Sequence, residues 1–587
     1  MDSFNMQQLI SDMNINWTPI FAATVFGAGA LFLFGKWRNN QKIQKKILNA
    51  QKRRDVSLQR AEQAVQQFKM QNPDFEGGSI VSLSLSELTG KLEEGSLQPD
   101  AVLHAFIEKA LEVNRNLNCN TEIITESVAQ LKDINTQKKG LLYGVPISIK
   151  ENITYKGYNS TCGVVGKLDQ PAVMDSVLVT VLKKQGAIPF VKTNIPQGLL
   201  NYDCSNPIYG QTLNPHNLKK TPGGSSGGEA ALIGGGGSIL GIGSDIAGSI
   251  RIPASFSGIC GFKPTSKRLS LQGISNCIKG QKSVLSSPGP MAKDVESLAL
   301  CMRALLCQDM FTLDPTVPPI PFNLKVYESS EPLRIGYYEN DGYTQPTPSM
   351  ARAVRETKDL LERAGHTLVP LQPLRLYEVF HELALKGSFA DGGCTFFSHL
   401  KEGPVDPCLC NQDILLSIPG FIKKFLSFLL KPFYPRLAAC MNAMVGVGSI
   451  AELWRLHANV EEYMNEVIAE WRRLNVDVLL CPIIGPAYNL GYSGHLNSVL
   501  SYTGLYNMLN FPAGTVTVST VTEEDEEQLS QYKGAFGDPW DKLLIKAIKG
   551  GVGLPVAVQC VSLPWTDEMC LRFMREVEQL TAKSKLT

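Results

Sequence analysis

Histidine is scarce, with seven among 587 residues, and none falls in the most glycine-rich part of the chain, residues 223–253. Nucleophilic chemistry centred there would have no local imidazole as its base. Charge of either sign in excess is also missing: 56 Lys and Arg against 55 Asp and Glu leave a net +1. That removes the general electrostatic reason to expect a nucleic-acid partner. The fourteen cysteines are spread from Cys119 to Cys570 without a compact framework. Pairs such as Cys408/Cys410 and Cys301/Cys307 lack C-x-x-C spacing, so neither a disulfide scaffold nor a metal site is expected. Reduced thiols in a reducing compartment follow. No repeat at a solenoid period is visible.

Long uncharged runs are rare, and the first lies near the N-terminus, from Trp17 to Phe34. A bilayer-spanning helix needs about 20 such residues, and Trp17 and Trp37 bracket the run as interfacial aromatics do. Lys36, Arg38, Lys42, Lys45, Lys46, Lys52, Arg53 and Arg54 follow it, whereas Asp2 and Asp12 precede it. This is the reverse of a signal peptide. Residues 1–36 are therefore expected to form a single-pass transmembrane anchor, with the rest of the chain cytosolic. Residues 37–94 read as a helical cytosolic segment, with apolar residues at helical spacing from Leu48 to Phe68. Two further helices start at Ser84 and Pro99.

A length prior of roughly 150 residues per domain allows up to four units, but large α/β enzymes often keep one sheet. From Leu141 onward short apolar runs alternate with helical patterns. Strands are expected at 144–150, 187–192, 333–338, 476–482 and 552–561, and a helix at 176–184. Such alternation points to an α/β layer fold, with one catalytic domain over 95–580.

The run Gly223-Gly-Ser-Ser-Gly-Gly-Glu229 to Pro253 admits several readings. A flexible linker should be polar throughout, yet Ala230–Ile233, Ile239–Ile242 and Ile250–Pro253 carry core-type residues. A phosphate loop needs its Gly-Lys-Ser/Thr, and no lysine occurs between Lys220 and Lys263. Gly223-x-Ser225-x-Gly227 matches a nucleophile elbow formally, but Thr221-Pro222 stands where a strand should run. The remaining reading is a serine hydrolase whose base is not histidine. A lysine can serve only when neutral, so its usual pKa near 10.4 must fall by roughly three units, about 4 kcal/mol. Burial at the end of an apolar strand imposes such a shift, and Lys150 follows Val145-Pro-Ile-Ser-Ile149. Taken alone, a lysine at a strand end is more often solvated.

Three segments, Gly223–Glu229, Gly243-Ser-Asp-Ile-Ala-Gly-Ser-Ile-Arg-Ile-Pro253 and Gly258-Ile-Cys-Gly-Phe-Lys-Pro-Thr265, with Gly144–Glu151 upstream, resemble the amidase signature family over roughly residues 95–575. The resemblance implies a central twisted mixed sheet surrounded by helices, no cofactor, and amide hydrolysis through an acyl-enzyme. Carried over by position, Ser249 is the nucleophile, Ser225 the bridging serine and Lys150 the base, with Ser226 supporting the relay. Ser225 also contacts substrate. Backbone N–H groups of Ile246, Ala247, Gly248 and Ser249 form the implied oxyanion hole. Where the family has Gly-Gly-Ser, this chain has Ala247-Gly248-Ser249, and a positive φ at Ala247 would strain the loop. Asp245 and Arg251 read as a structural ion pair, and His216 as a surface or packing residue.

One further stretch bears on which amide. Residues 412–439 are intensely apolar, broken at Pro419-Gly420, and dotted with Lys423, Lys424, Lys431 and Arg436. Too interrupted to span, they suit a helical hairpin lying in a membrane interface, with the cations at the headgroups. Thr312–Pro319, Leu426–Pro432 and Cys570–Gln579 resemble the lipid-amide hydrolases of the family. That likeness implies homodimers on the endoplasmic reticulum or another internal membrane, membrane lipids as partners, and fatty-acid ethanolamides and primary fatty amides as substrates. Leu199 falls at a substrate-contacting position. Cys440 stands where an aromatic residue is expected to line the acyl channel. The alternatives are an amidase of short polar amides or glutamine, and a membrane scaffold that retains a dead amidase fold.

Overall fold

The structure, a computed structural model, describes residues 17–586. The chain divides into two compact units, Met1–Ala50 and Gln51–Thr587. A helix runs from Trp17 to Gln71. The anchor expected at residues 1–36 is not borne out: residues 1–16 lie outside the described part, and among the described residues no helix is long and apolar enough to cross a membrane. The apolar stretch begins a 55-residue helix whose remainder is basic and amide-rich. The single-pass topology inferred from it has no spanning helix to rest on among the described residues.

Two helices early in the larger unit have clear start signals. Ser84 caps Leu85–Glu94 in a reciprocal bond with Glu87, and Pro99 opens Pro99–Leu117 at a position where its missing N–H has no partner to lose. The strands are β1 (Asn120–Ile123), β2 (Pro146–Lys150), β3 (Ile188–Thr193), β4 (Ser205–Asn206), β5 (Gly210–Gln211), β6 (Leu240–Asp245) and β7 (Cys260–Lys263). They continue with β8 (Ser287–Ala292), β9 (Arg334–Tyr337), β10 (Thr367–Pro370), β11 (Val478–Pro482), β12 (Ala513–Thr520) and β13 (Pro555–Ser562). β4 and β5 pair with each other, and the other eleven form one sheet in the order β1-β3-β2-β6-β8-β7-β12-β13-β11-β9-β10. Pairing is parallel for β2 with β3 and β6, and for β9 with β10 and β11, and antiparallel elsewhere. The fold is thus an α/β mixed sheet flanked by helices, as expected.

β2 is buried along its whole length, as a strand between two parallel neighbours should be. The helix joining it to β3, Val177–Lys184, is capped by Ser176. β2 and β6 run side by side in register, Ser148 opposite Gly241 and Ile149 opposite Ile242. Their carboxyl ends, Lys150 and Asp245, therefore emerge on the same edge, the usual place for a site in such sheets.

The segment 412–439 is helical, as Cys410–Ser417, Gly420–Leu430 and Pro435–Ala443, with the break at Pro419-Gly420. Phe421, Phe425, Phe428 and Phe433 are exposed. Two of its four expected headgroup cations are not on the surface. Lys423 is buried, with its ammonium donating to the carbonyls of Leu416 and Met444. Arg436 is buried against Asp538 and Asp541, 2.6 Å from each. Both satisfy groups inside the fold, so Lys424 and Lys431 alone remain exposed.

Candidate active site

Lys150 closes β2, and its side chain is fully buried. Its Nζ lies 2.7 Å from Ser225 Oγ, 3.0 Å from Ser244 Oγ and 3.1 Å from the Ser244 carbonyl oxygen. Burial brings its pKa down to about 7, against the opposing pull of the Asp245 charge. Near neutrality much of the amine is unprotonated, and the Ser225 hydroxyl can donate to it. Glu229, inside the same buried region, also pulls the Lys150 pKa upward, less than Asp245 does. Ser148 Oγ donates to it at 2.5 Å and Thr193 Oγ1 at 2.7 Å. Burial pushes its carboxyl up to about 8, against those hydrogen bonds and the Lys150 charge.

Ser225 and Ser226 lie in the loop that precedes the helix Gly227–Gly234. Ser249 lies between β6 and the helix Arg251–Ser257. The two loops are stitched by the Ser226 N–H, which donates to the Ser249 carbonyl at 3.0 Å. Ser226 Oγ bonds the Ser244 backbone, donating to its carbonyl and accepting from its N–H at 3.4 Å. Ser226 is thereby linked to Lys150 through Ser244, a residue that sequence reasoning missed. Only the general position of Ser244, at the end of a strand beside Lys150, could have pointed to it. Asn152 Nδ2 adds a 3.4 Å bond to Ser244 Oγ and a 3.0 Å bond to the Ser275 carbonyl.

The Ser249 loop is built around Asp245. The carboxylate accepts from the N–H of Gly248 at 2.8 Å and of Ile250 at 3.0 Å, and pairs with Arg251 at 3.0 Å, with both side chains fully buried. Burial alone would raise its pKa, but Arg251 holds it far below the usual carboxylate range. Asp245 and Arg251 thus form the internal ion pair that was expected. Arg251 also reaches Gln559 at 2.7 Å and Asn507 at 2.6 Å, so each of its three side-chain nitrogens has a partner.

The left-handed backbone falls on Gly248, with φ 120°, and not on Ala247. An added Cβ at Gly248 would meet Ile252 Cδ1 and Thr503 Oγ1 at 2.7 Å each. Alanine at 247 is therefore accommodated without strain. The Gly248 N–H is taken by Asp245, whereas among the described residues the N–H groups of Ile246, Ala247 and Ser249 meet no acceptor. Those three remain available to a substrate oxygen.

Ser249 lines two cavities. One, of about 420 Å³, is also lined by Ser225, Ser244, Asn152 and Cys277, and by the exposed Lys267, Lys279 and Lys282. The other is walled by apolar side chains including Leu199, Phe380, Leu385, Cys440, Met444 and Trp540. Leu199 borders both. His216, by contrast, is a packing residue whose Nε2 lies 2.9 Å from the Ser257 carbonyl. The arrangement supplies a dehydrated amine, a hydroxyl in contact with it, a second serine in the same cavity, and unspent backbone donors beside it. This is the equipment of acyl transfer.

A family model described as Amidase matches residues 101–571, so the chain belongs to the amidase family and is an amide hydrolase. It is 50% identical over 558 residues to the fatty-acid amide hydrolase 1 of Sus scrofa, which covers 95% of this chain and 96% of that one. With the fatty acid amide hydrolase 1 of Caenorhabditis elegans, identity is 37% over 574 residues, 95% of this chain and 99% of that one. A solved structure of a fatty acid amide hydrolase superposes with a TM-score of 0.76 at 26% identity, covering 92% of this chain and 95% of the other.

Proposed function

We propose that this chain hydrolyses fatty acid amides, ethanolamides and primary amides among them, to a free fatty acid and an amine. Unprotonated Lys150 takes the proton of Ser225, which takes that of Ser249, and Ser249 Oγ attacks the amide carbonyl. The N–H groups of Ile246, Ala247 and Ser249 receive the developing oxyanion; one such donor typically contributes about 10²–10³ in rate. Ser225 then hands a proton to the leaving nitrogen, which an amide requires because the amine anion leaves poorly. Water repeats the sequence on the acyl-enzyme and regenerates Ser249. No metal or cofactor enters any step.

The observation that carries this reading is the 2.7 Å contact between the buried Lys150 amine and Ser225. The acyl preference rests on the apolar cavity beside Ser249 and on the names of the relatives. The exposed phenylalanines of Gly420–Leu430 support docking onto a membrane surface, from which a lipid amide would enter. Homodimers are part of the same reading, from the family resemblance alone.

Hydrolysis of a long-chain ethanolamide should exceed that of acetamide by orders of magnitude in kcat/KM, and Ser249→Ala should abolish labelling by a fluorophosphonate. Acetamide turned over as well as the lipid amide would move the assignment to short polar amides. No fluorophosphonate labelling of the parent protein would make it an inactive scaffold.

A further inference from the structure

The helix Cys410–Ser417 carries a polar residue where its own pattern asks for an apolar one. Leu409, at its start, and Leu416 are buried, and residue 412 shares their face by helical spacing. Both leucines belong to one apolar cluster with Phe389, Cys440 and Met444, which also wall the apolar cavity beside Ser249. Residue 412 is a glutamine, only 5% exposed, and it lines that same cavity.

The Gln412 amide is held at one end only. Its Nε2 donates to the Gly494 carbonyl at 2.5 Å. A Cβ at Gly494 would stand 2.2 Å from the Cys408 carbonyl oxygen and 3.3 Å from Gln412 Nε2, so glycine there is what permits the close approach. A carbonyl accepts only from a donor, so this bond decides which end of the amide is which: nitrogen toward Gly494, oxygen left over. Gln412 Oε1 is buried and, among the described residues, has no hydrogen-bond partner. Asn201, another amide of the cavity wall, has both ends engaged. Its Nδ2 donates to the Cys408 carbonyl, and its Oδ1 accepts from the Asp203 N–H at 3.0 Å.

We propose that Gln412 determines specificity by accepting a hydrogen bond from a hydroxyl on the acyl chain, so that hydroxylated fatty amides are favoured over unsubstituted ones. The inference rests on the fatty-amide reading above and narrows its substrate class. An unsubstituted chain lays methylenes against the amide oxygen and leaves it unpaired, at the cost of a buried polar group without a partner. A hydroxylated chain brings the missing donor, and its own hydroxyl then enters the cavity already satisfied. A site that hydrogen-bonds a substrate hydroxyl discriminates against the analogue lacking it, because the site's own polar group is stranded.

The full-length protein in detergent is given a saturated long-chain ethanolamide and its monohydroxylated forms, with the hydroxyl moved along the chain. For at least one position, kcat/KM should exceed that of the unsubstituted chain by about tenfold, the scale of one net hydrogen bond. The methyl ether of that isomer, which accepts but cannot donate, should lose the advantage. In Gln412→Leu, and in the unbranched Gln412→Met, the ratio of hydroxylated to unsubstituted kcat/KM should fall by about the same factor. A ratio read within one preparation is insensitive to how much of the variant is folded. The proposal is overturned if the unsubstituted chain is hydrolysed and no isomer surpasses it, or if both variants keep the parental ratio. Hydrolysis of neither chain would overturn the fatty-amide reading and this inference with it.

Discussion

Asp245 and Arg251 face each other inside the protein at 3.0 Å, neither with any exposed side-chain surface. The carboxylate also takes the N–H groups of Gly248 and Ile250, so one buried charge shapes the whole turn that presents Ser249. Removing its partner strands that charge. Arg251→Met should lower folding stability by about 3–5 kcal/mol, the usual penalty for half of a buried pair. Denaturant melts with unchanged slope would measure it, and a variant as stable as the parent would remove the pair from this role.

The pH dependence of hydrolysis should carry the signature of Lys150. Its pKa is about 7, and in the proposed mechanism it works unprotonated, so kcat/KM should climb as pH rises through 7 and level off above. Lys150→Ala should lose about 10²–10⁴ near neutrality, the usual worth of a positioned base, and recover in part at alkaline pH. A loss of equal size at every pH would contradict the assignment.

Gly248→Ala tests the turn itself. Its Cβ would collide with Ile252 and Thr503, on a backbone conformation that alanine disfavours. Displacing the loop should cut the fluorophosphonate labelling rate by at least about a hundredfold, the scale of losing an oxyanion donor. Ala247→Gly, at a position with no such requirement, should label at close to the parental rate.

The exposed aromatic face of Gly420–Leu430 gives a separable prediction. A phenylalanine side chain withdrawn from water gains about 1.5–3 kcal/mol. Phe421→Ser combined with Phe425→Ser should therefore weaken sedimentation with phospholipid vesicles at least about tenfold. Hydrolysis of a short, water-soluble ester should be unaffected. Equal vesicle binding by parent and variant would place the membrane contact elsewhere.

Elements with strong apolar periodicity were legible before any coordinates: β2, β3, the helix Val177–Lys184 and β11 all fall within a residue or two of the expected bounds. β13 starts at Pro555, a strand's first residue, where a missing N–H is tolerated. β8 was hidden. Its sequence Ser-Pro-Gly-Pro-Met-Ala reads as a turn, yet it pairs on both sides in the middle of the sheet, with Pro288 opposite Ser244 and Pro290 opposite Ile242. Tertiary packing there overrides local preference. β6 was masked by its glycines, which let Glu229 and Ser148 approach Gly241. Lys423 and Arg436 were misplaced because one-dimensional spacing cannot tell a cation at a surface from one satisfying buried carbonyls and carboxylates. Lys150 was a candidate from its place at the end of an apolar strand, but its pairing with Ser225 was recognisable only through the family resemblance, since the two meet from segments 75 residues apart in the chain.

A base made from lysine by withholding water behaves unlike one made from imidazole, whose basicity is intrinsic. Hydration of the interior around Lys150 would restore its proton and silence the proposed relay with every atom of it still in position. The acid limb of the rate profile is thus a gauge of dryness. A variant that admits solvent should shift that limb toward higher pH even when it touches none of the reacting groups.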